Sequence, residues 1–173
     1  MSATALSPVT AAHIDRWLAA ARDTIKTVPY CWLATRAEDG GANARAVRVS
    51  ADRPGGDEWT RRFLVRRGSR KVAELRRDPR VTLAYQADSG DAYVALGGVA
   101  RLIEDRAEMR SLWSPNLDAK FPPGFADANM IVVKVEVDRI ELHVRGVTAE
   151  PFGHGRTMIE RGYGRIVNIA SLA

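Results

Sequence analysis

Tyr30-Cys31-Trp32-Leu33-Ala34-Thr35, the turn signal Asp39-Gly40-Gly41, and Ala44-Arg45-Ala46-Val47-Arg48-Val49-Ser50 together read as a β-hairpin. Both arms are rich in β-branched, aromatic or small residues, and glycines break them at hairpin spacing. In the second arm the period of two puts Arg45, Val47 and Val49 on one face and Ala46 and Arg48 on the other. A sheet that begins with a tight hairpin is antiparallel there, which sets the expectation for the rest of the chain.

Upstream, Ser7-Pro8 supplies a helix cap with proline at the first helical position. Ile14, Leu18, Ala21 and Ile25 then recur at helical spacing and form one apolar stripe. Downstream, a Pro54-Gly55-Gly56 loop leads to a strand at Arg61 to Val65, and Gly68-Ser69 opens a short helix that ends before Pro79. Strands follow at Val81 to Tyr85 and Tyr93 to Leu102, separated by Asp88-Ser89-Gly90-Asp91. Gly97-Gly98 inside the second of these marks a bulge or a close backbone approach.

A helix capped by Asp105 carries Met109, Leu112 and Trp113, and the loop Phe121-Pro122-Pro123-Gly124 precedes two last strands, Ile131 to Val137 and Ile140 to Val144. Seven strands and three helices joined mainly by short turns give a mostly β fold with peripheral helices. The architecture expected is a mostly antiparallel barrel with the helices packed outside. Residues 1–150 form this domain, and residues 151–173 a C-terminal tail of separate character.

The chain has 173 residues, 46% hydrophobic and 27% charged, which fits one compact domain. No window is apolar enough to span a membrane, and Asp15 and Arg16 interrupt the first apolar stretch before it can serve as a secretory signal. The single cysteine, Cys31, excludes an internal disulfide and fits a cytoplasmic setting. His13, His143 and His154 lack metal-ligand spacing, so no metal is expected.

Charge is unevenly placed. Arg45 to Arg80 holds twelve Lys and Arg against five Asp and Glu, a balance of +7, while the remainder has fourteen against sixteen, −2. Such a segment implies an anionic partner, either a phosphate-bearing small molecule or nucleic acid, unless it is a solvated arginine-rich face. Within it, Arg66-Arg67-Gly68-Ser69-Arg70-Lys71 places two cations in the first turn of a helix, where the helix dipole disfavours them. A phosphate held by free N–H groups, the Ser69 hydroxyl and both side chains would remove the conflict. An ordinary serine cap with solvated basic neighbours fits the same residues.

The residues also carry a family resemblance over about Thr27 to Gly146. Gly68-Ser69-Arg70-Lys71-Val72-Ala73-Glu74-Leu75 followed by Asp78-Pro79-Arg80-Val81 resembles the phosphate-binding turn of the pyridoxamine 5′-phosphate oxidase-like FMN-binding split barrels. Cys31-Trp32-Leu33-Ala34-Thr35, Ala44-Arg45-Ala46-Val47 and Gly98-Val99-Ala100 with Asp105-Arg106-Ala107 stand in the family's order. Leu112-Trp113-Ser114-Pro115 with Phe121-Pro122 is similar to the general stress protein subgroup.

The resemblance implies a split β-barrel, antiparallel and Greek-key-like, with FMN at the interface of a homodimer. It would make Arg45, Ser69, Arg70 and Lys71 the phosphate ligands. Ala46 and Val47, with Leu64 and Val65 on the neighbouring strand, would line ribityl and flavin. Tyr93 falls where the oxidases have a glutamine near the ring. His143 falls where they have a tryptophan, and it would pack beside the flavin from the other subunit unless it is an exposed strand residue. Catalytic side chains are not assigned. The Arg-x-His-x-Arg stretch that grips the vitamin phosphate in the true oxidases has no match from Val144 to Ala173, which argues against pyridoxamine phosphate as substrate.

The function expected is therefore FMN-dependent oxidoreduction of an unknown small molecule. A non-enzymatic flavin-binding stress or redox-sensing module is the alternative, and a basic nucleic-acid-binding domain a third reading. Deazaflavin carries phosphate too and remains open. Replacing Lys71 and Arg45 together by alanine is expected to weaken FMN binding and spare the fold. Met158 to Ser171 is similar to the strand before the catalytic serine of short-chain dehydrogenases, but the companion glycine turn and Tyr-x-x-x-Lys are missing, so Ser171 is not read as catalytic. The apolar run Ile166 to Leu172 is expected to pack on the barrel or on a partner subunit.

Overall fold

The structure, a computed structural model, describes residues 11–49, 57–120, 125, 129–148 and 155–158. The Ser7-Pro8 cap, the Pro54-Gly55-Gly56 loop, the Phe121 to Gly124 loop, Ser171 and the Ile166 to Leu172 run lie outside the described residues. The elements are α1 (Ala11–Thr27), β1 (Cys31–Arg36), β2 (Ala42–Val47), β3 (Thr60–Arg66), α2 (Arg70–Arg77), β4 (Arg80–Gln86), β5 (Ala92–Ile103), α3 (Arg106–Leu112), α4 (Pro115–Lys120), β6 (Met130–Val144) and β7 (Gly155–Met158). The strands form one antiparallel sheet in the order β2-β1-β4-β5-β6-β3, with β7 also paired to β6. Inward side chains from all six strands of that path merge into one apolar cluster, so the sheet curls around its own core as a split barrel.

The hairpin is β1 and β2, in register from Cys31↔Val47 to Arg36↔Ala42. The stripe on α1 packs as its period predicts: Ile14 and Ala21 are buried, and Leu18 and Ile25 lie against the barrel core. The Arg22 guanidinium forks onto Glu58, with both N···O distances 2.7 Å, which ties α1 to the entry of β3. Trp59 beside it is 5% exposed and has both Arg22 and Arg61 over its ring. On α2 the buried face carries Val72 and Leu75 into the same core.

Two expectations are corrected. The last two strands are a single one, β6, and the seventh strand is β7 in the C-terminal stretch. On β6 the inward residues are Ile131, Val133, Val135 and Val137, then Ile140 and Leu142, so the alternation slips by one after Val137. The slip is a bulge: Gly97 pairs with Arg139 and Gly98 with Val137, which leaves Asp138 as the extra residue. A phase break of this kind resembles a turn when only the sequence is read. The other correction concerns β3, which among the described residues pairs with β6 alone while β2 pairs with β1 alone. The two are opposite ends of the hydrogen-bonded path and not neighbours. α4, a short helix with Pro115 at its first position and Leu117 N–H bonded to the Ser114 carbonyl, was also not anticipated.

At the bulge the β6 backbone closes tightly on Gly98, where a Cβ would stand 2.4 Å from the Glu136 carbonyl oxygen. Neither backbone can yield without breaking the ladder. Gly98→Ala is therefore expected to cost about 2 kcal/mol in urea unfolding. Gly68→Ala, where a Cβ meets nothing within 4 Å, should stay within about 0.5 kcal/mol.

Candidate functional site

At the end of the barrel where α2 begins, the polar residues converge on one carboxylate. Glu74 lies on the buried side of α2 and is 4% exposed. Its Oε2 accepts from Thr35 Oγ1 at 2.6 Å and from Arg45 Nη2 at 2.6 Å. Its Oε1 accepts from Asn43 Nδ2 at 2.7 Å and faces Arg70 Nε at 3.3 Å. Arg45 Nη1 also donates to Thr35 Oγ1. The strand period delivers the donors, because Thr35 on β1 and Asn43 and Arg45 on β2 all point inward.

Burial pushes the Glu74 carboxyl up, but the bonds from Thr35, Arg45 and Asn43 and the charge of Arg45 outweigh it and hold the group below the ordinary carboxylate value. Glu74, Asn43 and Thr35 were not anticipated as part of the site. The available signal was an acid inside the apolar arc of a helix, between Val72 and Leu75.

Beside this cluster Ser69 is the N-cap of α2, with extended backbone, yet its side chain makes no capping bond. Its hydroxyl is buried with no partner. Buried hydroxyls are seldom left so, and the first N–H groups of a helix lack intrahelical acceptors as well. Lys71 follows and makes no ion pair among the described residues. Desolvation, then repulsion from Arg45, lowers its pKa, with Glu74 opposing. Arg70 is largely exposed. Ser69, Arg70, Lys71 and Arg45 are thus brought together, as a cap, two first-turn cations and a guanidinium already engaged by Glu74.

The other expected residues are dispersed. Val47 and Val65 are buried in the barrel core, and Ala46 faces outward. Leu64 packs outside the barrel with Met109 and Met130, under α3. Tyr93 and His143 are cross-strand partners on β5 and β6, with ring centroids 5.9 Å apart, and Thr148 Oγ1 lies 3.2 Å from His143 Nδ1. Tyr93 also pairs with Gln86, at the far end of β4 from α2, a strand length of about 20 Å. One chain therefore does not bring this pair to the turn at Ser69.

Cys31 is buried and its thiol is pushed up to about 11 by desolvation, so it is a core residue and not a nucleophile. Among the described residues no group of three or more His, Cys, Asp and Glu is arranged to hold a metal, and no helix is long and apolar enough to cross a membrane.

The model of the family described as pyridoxamine 5′-phosphate oxidase like matches residues 18–144. The chain belongs to that family. A comparison with curated proteins returned no match. Among solved structures, a Clostridium acetobutylicum protein related to general stress protein 26 of Bacillus subtilis is similar with a TM-score of 0.68 at 18% identity, over 84% of this chain and 96% of that one. A pyridoxamine 5′-phosphate oxidase-related FMN-binding protein of Nostoc punctiforme gives 0.66 at 16%, over 98% and 100%. A haem-binding protein of Mycobacterium smegmatis gives 0.61 at 21%, over 87% and 60%. At these identities the likeness is one of fold.

The geometry revises the expectation that Arg45 and Lys71 can both be removed without harm to the fold. Arg45 neutralises a buried carboxylate, so Arg45→Ala is expected to cost about 3 kcal/mol, whereas Lys71→Ala should stay within about 0.5 kcal/mol. Because the folded-state pKa of Glu74 lies below its unfolded value, its stabilisation is complete above about pH 4.3 and is lost as pH falls through the folded value. Urea unfolding from pH 7 to pH 2 should show the Arg45→Ala deficit shrinking through that acid window.

Proposed function

We propose that this member of the pyridoxamine 5′-phosphate oxidase-like family is a cytoplasmic, homodimeric FMN-binding protein that oxidises or reduces an organic small molecule. The observation that carries the reading is the buried Ser69 hydroxyl at the N-terminus of α2, next to Lys71, the hydroxyl without a hydrogen-bond partner and the lysine without an ion pair among the described residues. A phosphate there would satisfy the hydroxyl and the first-turn N–H groups and offset the desolvation of Lys71. The residues fit the phosphate end of FMN in donor type and charge. Arg45 would contribute through the guanidinium edge that Glu74 and Thr35 leave open. Bound flavin supplies the electron-transfer chemistry, and the chain supplies binding, orientation and access.

A homodimer is supported by the outer face of β2, β1 and β4. There Trp32 is 58% exposed and is flanked across the strands by Ala46 and Ala84. Small residues around one large aromatic leave a flat sheet face that solvent does not favour, and an apolar patch of this kind fits a second sheet packed on it. Tyr93 and His143 of a second copy would then complete the flavin site that one chain leaves open. Pyridoxamine phosphate is not the proposed substrate, since the stretch that would grip it has no match from Val144 to Ala173.

The test is the visible spectrum of the purified protein with and without added FMN, with the released cofactor identified by mass. A stoichiometric flavin is expected, and Lys71→Ala should weaken FMN binding at least about tenfold at unchanged stability. A protein that neither retains nor takes up flavin would overturn the reading, and a deazaflavin or haem recovered instead would replace FMN. Turnover of NAD(P)H or an electron acceptor by the loaded protein separates an oxidoreductase from a flavin-binding sensor. Trp32→Asp is expected to halve the mass seen by light scattering and to lower flavin content with it. A monomeric wild type would remove the dimer.

A further inference from the structure

We propose that Glu74 sets the charge selectivity of the anion site at the start of α2. It holds Arg45 and Arg70 beside that terminus while cancelling one of three positive charges, so that the site takes a phosphate monoester dianion ahead of more highly charged anions. The inference rests on the reading of the Ser69 turn as a phosphate site.

Arg45, Arg70 and Lys71 bring three positive charges to the turn, and Glu74 accepts from the first at 2.6 Å and faces the second at 3.3 Å. Two positive charges remain. A phosphate monoester at neutral pH carries about −1.5 to −2, which this balance matches. A terminal diphosphate brings a further negative charge that no cation of the cluster answers and that the Glu74 carboxylate repels through the shared guanidinium groups. At an effective dielectric constant of about 20, an unmatched charge a few ångströms away is worth at least about a factor of ten in affinity.

A carboxylate is not needed merely to fasten α2 to the hairpin, since an uncharged amide could accept from Thr35 or Asn43. The charge is what an amide cannot supply. Without it, three cations would crowd one helix terminus, where the dipole already disfavours them.

The experiment compares inorganic phosphate with pyrophosphate as ligands, by calorimetry at pH 7.5 and fixed ionic strength, in the wild type, Glu74→Gln and Thr35→Val. The wild type is expected to prefer phosphate. Glu74→Gln should shift the pyrophosphate-to-phosphate affinity ratio about tenfold towards pyrophosphate. Thr35→Val removes a hydrogen bond to Glu74 and keeps every charge, so it should lower stability and leave the ratio within about twofold. An unmoved ratio in folded Glu74→Gln, or an equal shift in Thr35→Val, overturns the proposal and leaves the phosphate site standing. Absence of phosphate binding in all three overturns the phosphate reading and this inference with it. Should Glu74→Gln not fold, Arg70→Gln removes a largely exposed cation and must shift the ratio the opposite way, about tenfold towards phosphate.

Discussion

The close approach of β6 to Gly98 is the constraint on which the barrel depends. β5 and β6 share the longest ladder of the sheet, from Ala92↔Val144 to Ile103↔Val132. Two strands of that length cannot keep one face on a curved core without a break, because twist and curl carry the inward direction round as the ladder advances. The extra residue Asp138 supplies the break. It changes the inward set on β6 from odd to even numbers, while β5 keeps Val94, Leu96 and Ala100 inward throughout. The half of β6 before the bulge pairs with β3 and the half after it with β7, along the same edge. The curl that follows leaves β2 and β3 as the two ends of the path, and α2 packs into the core against β1 and β5.

The position of α2 explains why the chain tolerates local rules being broken at Ser69. A serine cap without its capping bond, two cations in a first turn and a carboxylate on a buried helix face are each unfavourable alone. The carboxylate answers one of those cations, Arg70, and with it Arg45 on the hairpin, across the gap between helix and hairpin, with Thr35 and Asn43 completing the set. The Ser69 hydroxyl is not answered by anything among the described residues. Violations that remain after packing has settled the others mark a site more reliably than composition does.

Much of the fold was legible in the sequence because it is written in short-range periods. The hairpin, the α1 stripe and the α2 boundaries between Gly68-Ser69 and Pro79 all follow from spacing and turn residues. The bulge was half legible, as Gly97-Gly98, but the residue that bulges lies on the partner strand, forty positions away. Glu74 meets Thr35 and Arg45 from 39 and 29 positions along the chain, so their contact depends on topology and not on any local pattern. The dispersal of Val47, Val65, Ala46 and Leu64 has a different, local origin. Adjacent residues on a strand face opposite sides, so a contiguous run cannot present all its side chains to one ligand.

The basic segment is the clearest case of a linear pattern redistributed by folding. Arg67 and Arg76 share Glu104, Arg77 pairs with Glu38, Arg62 with Glu108 and Arg80 with Asp138, each acid drawn from outside the segment. Arg45 and Arg70 share Glu74. A nucleic-acid footprint needs cations free in a row, since each phosphate neutralised contributes to binding separately. Here the row is broken into pairs on several elements, and what remains at the start of α2 is a compact excess around Lys71 and the helix terminus. An excess of that size and shape matches one phosphate group better than a polyanion, which is the physical reason to favour a small phosphorylated ligand at this turn.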